Sequence, residues 1–288
     1  MPLPMSKHSV VKGTRTQRTS LHAGPLTRLL VVLIIKMQAN EYLRHLWKKP
    51  VGLHAISNIY IKVKPIDNLT EAYAMQFVAQ NTSIPVPKLY CAFVFKGRTY
   101  TVMKKIEGDM VGRGWENRTE ESRKRILGQI RDMLDQLRSL NPPEGEGIAS
   151  AEGEAFCDWR LPSKPLWGPF TTIRDFHEAL INGINLDVNC QNVPPDLAEL
   201  VTFYRQPFGK PVFSHGDLSK QNILVKGDSV VGIIDWETAG WLPNYWEYTC
   251  TRGVLPWYAF SQEEVDQFLL PMHHELGMDM IRRKYFDF

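Results

Sequence analysis

The chain has 288 residues, of which 43% are hydrophobic and 23% charged, a composition typical of a globular domain with a sizeable core. Its formal net charge of +3 is unevenly distributed. Residues 1–40 contain six basic and no acidic residues, so the rest of the chain carries −3. A mildly acidic body argues against a nucleic-acid-binding domain, and we expect no nucleic-acid partner.

The cysteines argue against a zinc site or a disulfide framework. They lie far apart and form no Cys-x-x-Cys pair: Cys91, Cys157, Cys190 and Cys250. Free thiols in a reducing compartment are the expected state, so we predict a cytoplasmic protein.

Residues 1–50 are predicted to form a basic tail in front of the domain. The acid-free composition of residues 1–40 is typical of a mitochondrial targeting segment, whereas a variable or disordered tail is the alternative that we favour. The apolar run 29–35 is much shorter than the roughly 20 residues that span a bilayer, so we expect no stable membrane insertion.

The first predicted elements are a strand, a helix and two further strands. Alternation of apolar and polar residues from Ile59 predicts a strand over Ile56–Lys64, and helical periodicity follows over Thr70–Ala79. Two runs on either side of a Lys-Gly turn, Leu89–Phe95 and Arg98–Met103, predict a hairpin. This part of the chain therefore predicts a small antiparallel sheet with one helix.

The second half of the chain is predicted to be mainly helical. A strongly amphipathic helix is expected over Thr119–Leu140, and shorter helices over Ile173–Ile184 and Pro195–Tyr204. Residues 143–170 are rich in Gly, Pro and Glu and predict a long surface segment. All the elements together predict an α+β fold.

A predicted hairpin brings three oxygen-bearing side chains together. Its strands are Ile223–Val225 and Val230–Ile234; Asp217 and Asn222 lie just before the first strand and Asp235 just after the second. Because the two open ends of a hairpin are adjacent, these side chains should converge. Such a set suits phosphoryl transfer: Asp217 aligns the attacking hydroxyl and accepts its proton, while Asn222 and Asp235 hold Mg²⁺ on the phosphates.

Two other side chains near Asp217 have open roles. His215 is expected to be buried and structural, holding the backbone of the loop through a hydrogen bond. Lys220 either contacts the γ-phosphate of a nucleotide or is a solvated surface lysine.

The chain resembles a known family in these and other segments. His215–Asn222 and Ile233–Glu237 are similar to the catalytic segments of the aminoglycoside phosphotransferase and choline kinase branch of the protein-kinase-like fold. The likeness to fungal proteins of the phosphotransferase enzyme family extends to Thr82–Pro87, Trp167–Phe170 and Ala239–Tyr248. The resemblance implies a bilobal fold, with an N-lobe over residues 51–105 and a mainly helical C-lobe over residues 106–288.

Further site residues follow from the resemblance. It implies that Lys62 holds the α- and β-phosphates of ATP and that Glu71 holds Lys62. Lys64 lies on the same face of the predicted strand and is a rival for this role. The hinge that meets the adenine is implied to be the backbone of three successive residues, Met103, Lys104 and Lys105.

Two functions stay open at this point. The first is a phosphotransferase that depends on ATP and Mg²⁺. The second is a kinase-fold binding or regulatory protein without catalysis. The second function stays open because the fold usually has a glycine-rich phosphate loop before the first strand, and this chain has only Gly52 there.

The expected phosphate acceptor is a hydroxyl group of a small molecule. Gly216 stands where protein kinases have Arg, Ser219 stands where they have Lys, and only nine residues separate Asp235 from Tyr245. These features argue against a protein kinase, which needs a longer activation segment. Aromatic residues beyond Asp235 could stack on the acceptor or belong to the core: Trp241, Tyr245, Trp246, Tyr248 and Trp257.

Overall fold

The computed structural model describes residues 19–40, 53–145, 147–158, 161, 166–187, 193–253 and 257–286. A five-stranded sheet with its helices forms the smaller lobe, and a mainly helical region forms the larger one. This confirms the predicted α+β, bilobal class. The expectations for residues 1–18 and 41–52 lie outside the described residues.

The sheet of the N-lobe is antiparallel and has the strand order β1-β4-β5-β3-β2. Its strands are β1 (Ser20–Leu21), β2 (Leu53–Ile56), β3 (Ile59–Lys64), β4 (Leu89–Phe95) and β5 (Arg98–Lys104). The single strand predicted over Ile56–Lys64 is wrong at its start. The chain turns at Ser57, whose φ of 51° is left-handed, so Ile56 ends β2 and Ile59 begins β3.

Helix α2 (Thr70–Asn81) confirms the predicted helix and packs on this sheet. The side chain of Asn68 accepts a hydrogen bond from the Thr70 N–H at 2.5 Å, which satisfies one of the free donors at the start of the helix. Glu71 therefore lies in the first turn, where it is only 6% exposed. The position at which the helix starts therefore determines where the Glu71 side chain lies relative to the sheet.

Helix α1 (Pro25–Ala39) also packs on the sheet, although the sequence placed these residues in a tail outside the domain. Val31 is buried against Ile61 and Phe93, and β1 extends the sheet by pairing with β4. The apolar run 29–35 is too short to span a bilayer, but two helical turns suffice to cover one face of a small sheet.

The outward stripe of α1 remains exposed. It consists of Leu26, Leu29, Leu30, Leu33 and Met37. Within the described ranges, no helix is both long enough and apolar enough to cross a membrane.

Helix α3 (Glu120–Ser139) carries the amphipathic pattern that the sequence predicts. The Thr119 side chain caps its start by accepting from the Ser122 N–H at 3.2 Å. The other helices of the C-lobe are α4 (Ile173–Leu180), α5 (Pro195–Tyr204), α6 (Trp246–Arg252), α7 (Gln262–Phe268) and α8 (His273–Phe286). Helix α4 ends four residues before the predicted Ile184, because Asn182 and Gly183 have φ values of 57° and 75°.

The segment 143–170 is not the surface segment that its composition predicts. Ile148, Phe156 and Trp167 are buried in the main core. Single bridges fix the backbone, pairing Ile148 with Phe170, Phe156 with Trp167, and Ala149 with Trp241 of the C-lobe. Large apolar residues spaced among the Gly and Pro residues supply the burial, so the overall composition is a poor guide here.

The predicted hairpin is present as β8 (Ile223–Lys226) and β9 (Ser229–Ile233). A short strand β6 (Asp109–Met110) pairs with β8, and β7 (Val212–Ser214) pairs with β10 (Gly240–Leu242). The loop 215–222 runs from β7 to β8. The end of β9 contacts the segment between α2 and β4, since the Ile233 N–H donates to the Pro85 carbonyl at 2.8 Å.

Candidate active site

The two ends of the hairpin are joined by hydrogen bonds, as the sequence predicts. The Asn222 amide donates to the Asp217 carboxylate at 3.0 Å and to its carbonyl at 2.7 Å. The Ile234 N–H donates to the Asn222 carbonyl at 2.9 Å, so Asn222 sits between Asp217 and the residue that precedes Asp235. The structure therefore brings the end of β9 against the pair of Asp217 and Asn222.

His215 holds the loop from inside and is fully buried. Its Nδ1 accepts from the Asp217 N–H at 3.2 Å, and its Nε2 lies 3.0 Å from the Ile234 carbonyl. A neutral imidazole with its proton on Nε2 satisfies both contacts, because one nitrogen must accept and the other must donate. The predicted structural histidine thus connects the loop to the end of β9.

Glu247 is a loop-positioning residue that the sequence reasoning missed. It is 2% exposed, and its carboxylate accepts from the His215 N–H at 2.6 Å and the Gly216 N–H at 3.2 Å. The only sequence signal is its place in Trp246-Glu247-Tyr248, which was noted as part of the family resemblance without a role. A carboxylate shared by two backbone donors fixes the peptide just before Asp217.

Gly216 is required by this geometry. Its φ is +78°, and a Cβ at this position would lie 2.7 Å from the Thr238 carbonyl oxygen. The Thr238 hydroxyl also donates to the His215 carbonyl at 2.9 Å, so this neighbour is fixed. An arginine, as in protein kinases, does not fit the described backbone.

Lys62 and Glu71 form the expected ion pair, with Nζ and Oε1 2.7 Å apart. Lys62 also contacts Asp235 at 2.6 Å, which links the sheet directly to the end of the hairpin. Burial disfavours the charged lysine, but Glu71 and Asp235 outweigh it and raise the pKa of Lys62. Burial likewise opposes ionisation of Asp235, yet Lys62 and Lys64 lower its pKa, so both groups are charged at neutral pH.

Lys64 shares the same glutamate. Its Nζ lies 2.9 Å from Oε2 of Glu71 and pairs with Glu237 on its other side. Burial lowers the pKa of Lys64, although Glu71 opposes this effect. Both rival lysines thus contact Glu71, one on each oxygen, and only Lys62 bonds to Asp235. Glu237 was not predicted as a site residue, although it follows Asp235 by two positions.

The donor set around Asp235 suits a hard cation. Carboxylate oxygens of Glu71, Asp235 and Glu237 lie within 4.8 Å of one another. The backbone carbonyl of Asn222 accepts from the N–H of Ile234, the residue before Asp235. The two lysines now balance most of this negative charge. Magnesium bound by Asn222 and Asp235 stays a prediction that this chemistry fits.

Two backbone N–H groups of the predicted hinge already donate hydrogen bonds within the N-lobe. The Lys104 N–H donates to the Lys88 carbonyl at 2.8 Å, and the Lys105 N–H donates to the Asn58 carbonyl at 2.9 Å. Met103 is buried in the sheet. A base at this position would therefore meet carbonyl oxygens of the hinge, or N–H groups of residues after Lys105.

Lys220 is not the solvated surface lysine that was one of its two predicted positions. Its ammonium group lies 5.4 Å from the Trp115 ring centre and 5.5 Å from that of Phe260, and the residue is 8% exposed. The carboxylates of Glu116 and Glu264 are 3.6 and 3.7 Å away. Lys220 therefore anchors the loop in the C-lobe, rather than facing solvent.

Most of the aromatic set beyond Asp235 belongs to the core. Trp241, Tyr245, Trp246 and Tyr248 are each at most 2% exposed, whereas Trp257 is 68% exposed. Tyr245 hydrogen bonds to the buried His177 at 2.7 Å. Of the five predicted stacking residues, the described structure leaves Trp257 with a large free surface.

The described cysteines are free thiols, as the sequence predicts: Cys91, Cys157 and Cys250. Burial raises the pKa of Cys157, and Lys64 opposes this shift.

The site and the fold together define a class of protein. An ion pair between a strand lysine and a helix glutamate faces an Asp–Asn loop and a second aspartate, which are the recurring parts of kinase-like phosphotransfer machinery. A family model described as the phosphotransferase enzyme family matches residues 62–284, and the chain belongs to this family.

Solved structures share the fold at low sequence identity. Aminoglycoside phosphotransferase APH(4)-Ia is 17% identical, with a TM-score of 0.58 over 89% of this chain and 88% of that chain. A thermostable mutant of that enzyme, in a ternary complex with ADP and hygromycin B, is 17% identical with a TM-score of 0.57 over 82% of each chain. A comparison with curated proteins gives no match.

Proposed function

We propose that this protein is a phosphotransferase that depends on ATP and Mg²⁺ and moves the γ-phosphate to a hydroxyl group of a small molecule. The observation that carries the proposal is the contact of Lys62 with both Glu71 and Asp235, at the end of the hairpin that starts from Asp217 and Asn222. One cleft then holds groups for the phosphates, the metal and the attacking hydroxyl.

Each group has a role in this proposal. Lys62, held by Glu71, neutralises the α- and β-phosphates, and the oxygens of Asn222 and Asp235 hold Mg²⁺, which offsets charge on the phosphates. Asp217 orients the acceptor hydroxyl. As the new O–P bond forms and the bond to the β-phosphate oxygen breaks, the hydroxyl proton passes to the Asp217 carboxylate.

A small acceptor is favoured by the loop around Gly216. The close approach of Thr238 leaves no room for an arginine there, and a short segment follows Asp235. A structural neighbour binds hygromycin B together with ADP, which supports a hydroxylated small molecule and a nucleotide as substrates. We further propose a cytoplasmic protein without a nucleic-acid partner, with mitochondrial import as the alternative suggested by the acid-free start.

The second candidate function is nucleotide or ligand binding without catalysis. Its support is that residues 41–52 contain a single glycine, where the fold usually has a glycine-rich phosphate loop. A binding module of this kind would bind nucleotide but form no product.

An ADP-release assay with Asp217→Asn as the control variant tests the proposal. The acceptor panel should include aminocyclitols, amino alcohols and sugars. We expect acceptor-dependent ADP formation in the wild type, and a kcat that falls by about 10²–10⁴-fold in Asp217→Asn, the usual contribution of general base catalysis.

Nucleotide affinity should change little in this variant, because Asp217 faces the acceptor. Equal turnover in the two proteins would remove Asp217 as the base. Nucleotide binding without turnover on any acceptor would favour the second function.

A further inference from the structure

The position of Lys64 on β3 points towards the outer phosphates of a nucleotide. In the pairing of β3 with β5, Ile59 lies opposite Lys104 of the hinge, Lys62 opposite Thr101, and Lys64 opposite Thr99. The strand thus leads away from the hinge, and Lys64 lies about 7 Å beyond Lys62 on the same face. A nucleotide with its base at the hinge extends its phosphates in this direction.

The contacts of Lys64 place its ammonium group at the same end of the site as the predicted metal. One partner is Glu71, 2.9 Å away, and the other is Glu237, two residues beyond the predicted metal ligand Asp235. The Lys64 side chain is 22% exposed, close to the 20% of Lys62, so both side chains are largely shielded from solvent. Glu71 holds both amines in position, one on each of its oxygens.

The cluster formed by Lys62, Lys64 and their carboxylate partners has a net negative charge, so bound phosphates need the positive charge of a second lysine as well as that of Lys62. Glu71, Asp235 and Glu237 carry three negative charges against the two lysines. The segment that precedes β2 has one glycine, Gly52, and so lacks the usual set of glycines that lets backbone N–H groups approach phosphate oxygens. A triphosphate needs donors from another source.

We propose that Lys64 is a second phosphate-binding lysine, which exchanges its contact with Glu237 for the outermost phosphate of a nucleoside triphosphate. This inference rests on the proposed phosphotransferase function and deepens it. Lys64 supplies the charge and donors that a glycine-rich loop supplies elsewhere, and it stabilises the charge on the γ-phosphate during transfer.

Calorimetric affinities for ADP and AMP-PNP, both with Mg²⁺, test this role. The variants are Lys64→Met and Lys62→Met, with Lys88→Met as a control on an exposed lysine of the same lobe. In Lys64→Met we expect AMP-PNP binding to weaken roughly tenfold more than ADP binding, the loss of one charge-assisted hydrogen bond. Lys62→Met should weaken both nucleotides, and Lys88→Met neither.

The outcomes separate the two proposals. An unchanged ratio of the two affinities in Lys64→Met, as a purely structural lysine would give, overturns the role of Lys64 and leaves the phosphotransferase function standing. A wild type that binds neither nucleotide overturns both. Lys64→Gln covers a failure of Lys64→Met to fold: it removes the charge but keeps a polar side chain, and it should also weaken AMP-PNP binding more than ADP binding. An unchanged ratio of the two affinities in this variant contradicts the inference.

Discussion

At the residue scale, the loop before Asp217 depends on a carboxylate that is distant in the sequence. Glu247 accepts from two backbone N–H groups, those of His215 and Gly216, in a position that excludes water almost completely. Removing the carboxylate takes a buried charged acceptor away from both donors, so the orientation of Asp217 depends on it.

We therefore expect Glu247→Ala to cost roughly 2–4 kcal/mol of stability, since it removes a buried charged acceptor from two backbone hydrogen bonds. The kcat of Glu247→Ala should also fall. Glu247→Gln should retain part of the stability and part of the kcat, because the amide keeps one oxygen that can accept a hydrogen bond. Chemical denaturation and steady-state kinetics measure the two effects. The exposed Glu199→Ala on α5 is the control; an Ala variant at 247 with the stability and kcat of this control would refute the role.

Gly216 gives a second prediction at this scale, with a matched control in Gly97. Both have a positive φ, +78° and +69°, but a Cβ on Gly97 meets nothing within 4 Å. Gly97→Ala should cost about 1 kcal/mol through the backbone alone. Gly216→Ala should cost about 1–3 kcal/mol more, because the clash with Thr238 forces the loop to shift. Equal unfolding free energies would show that the loop adjusts freely.

At the scale of elements, α1 gives the N-lobe sheet a cover that the sequence did not predict. Val31 is buried on the sheet, whereas Leu30 beside it is 59% exposed. Apolar residues lie on both faces of this helix, Val31 on the buried one and Leu30 on the exposed one, so the sequence pattern does not show which face packs.

The prediction is that Val31→Ala lowers the free energy of unfolding by roughly 2 kcal/mol, as buried apolar truncations do. Leu30→Ala removes a larger side chain yet should change it by less than about 0.5 kcal/mol, since surface changes are usually small. Thermal melts of the full chain compare the two directly. Equal shifts would mean that α1 does not cover the sheet in solution.

At the scale of the whole molecule, the sequence predicts most of the fold and the core of the site. Local patterns suffice for α2, α3 and the β8–β9 hairpin, because their periodicity and turns lie in short stretches of chain. The convergence of Asp217, Asn222 and Asp235 follows from the hairpin itself.

Contacts between distant segments were beyond such patterns. Glu247 lies 32 residues from His215, and the aromatic rings that hold Lys220 come from Trp115 and Phe260. The burial of Ile148 and Phe156 depends on partners in the C-lobe, so local composition alone predicted a surface segment. Contacts between residues so distant in the sequence form only when the chain is folded.

Calorimetric binding of ATP to wild type and Asp235→Ala measures whether Mg²⁺ and nucleotide meet at Asp235. Each protein is measured with Mg²⁺ and with the metal chelated. We predict that Mg²⁺ strengthens ATP binding markedly in the wild type and has little effect in Asp235→Ala, since the proposed function makes this carboxylate a ligand of the metal. An equal Mg²⁺ dependence in both proteins, or no binding by the wild type, would contradict it.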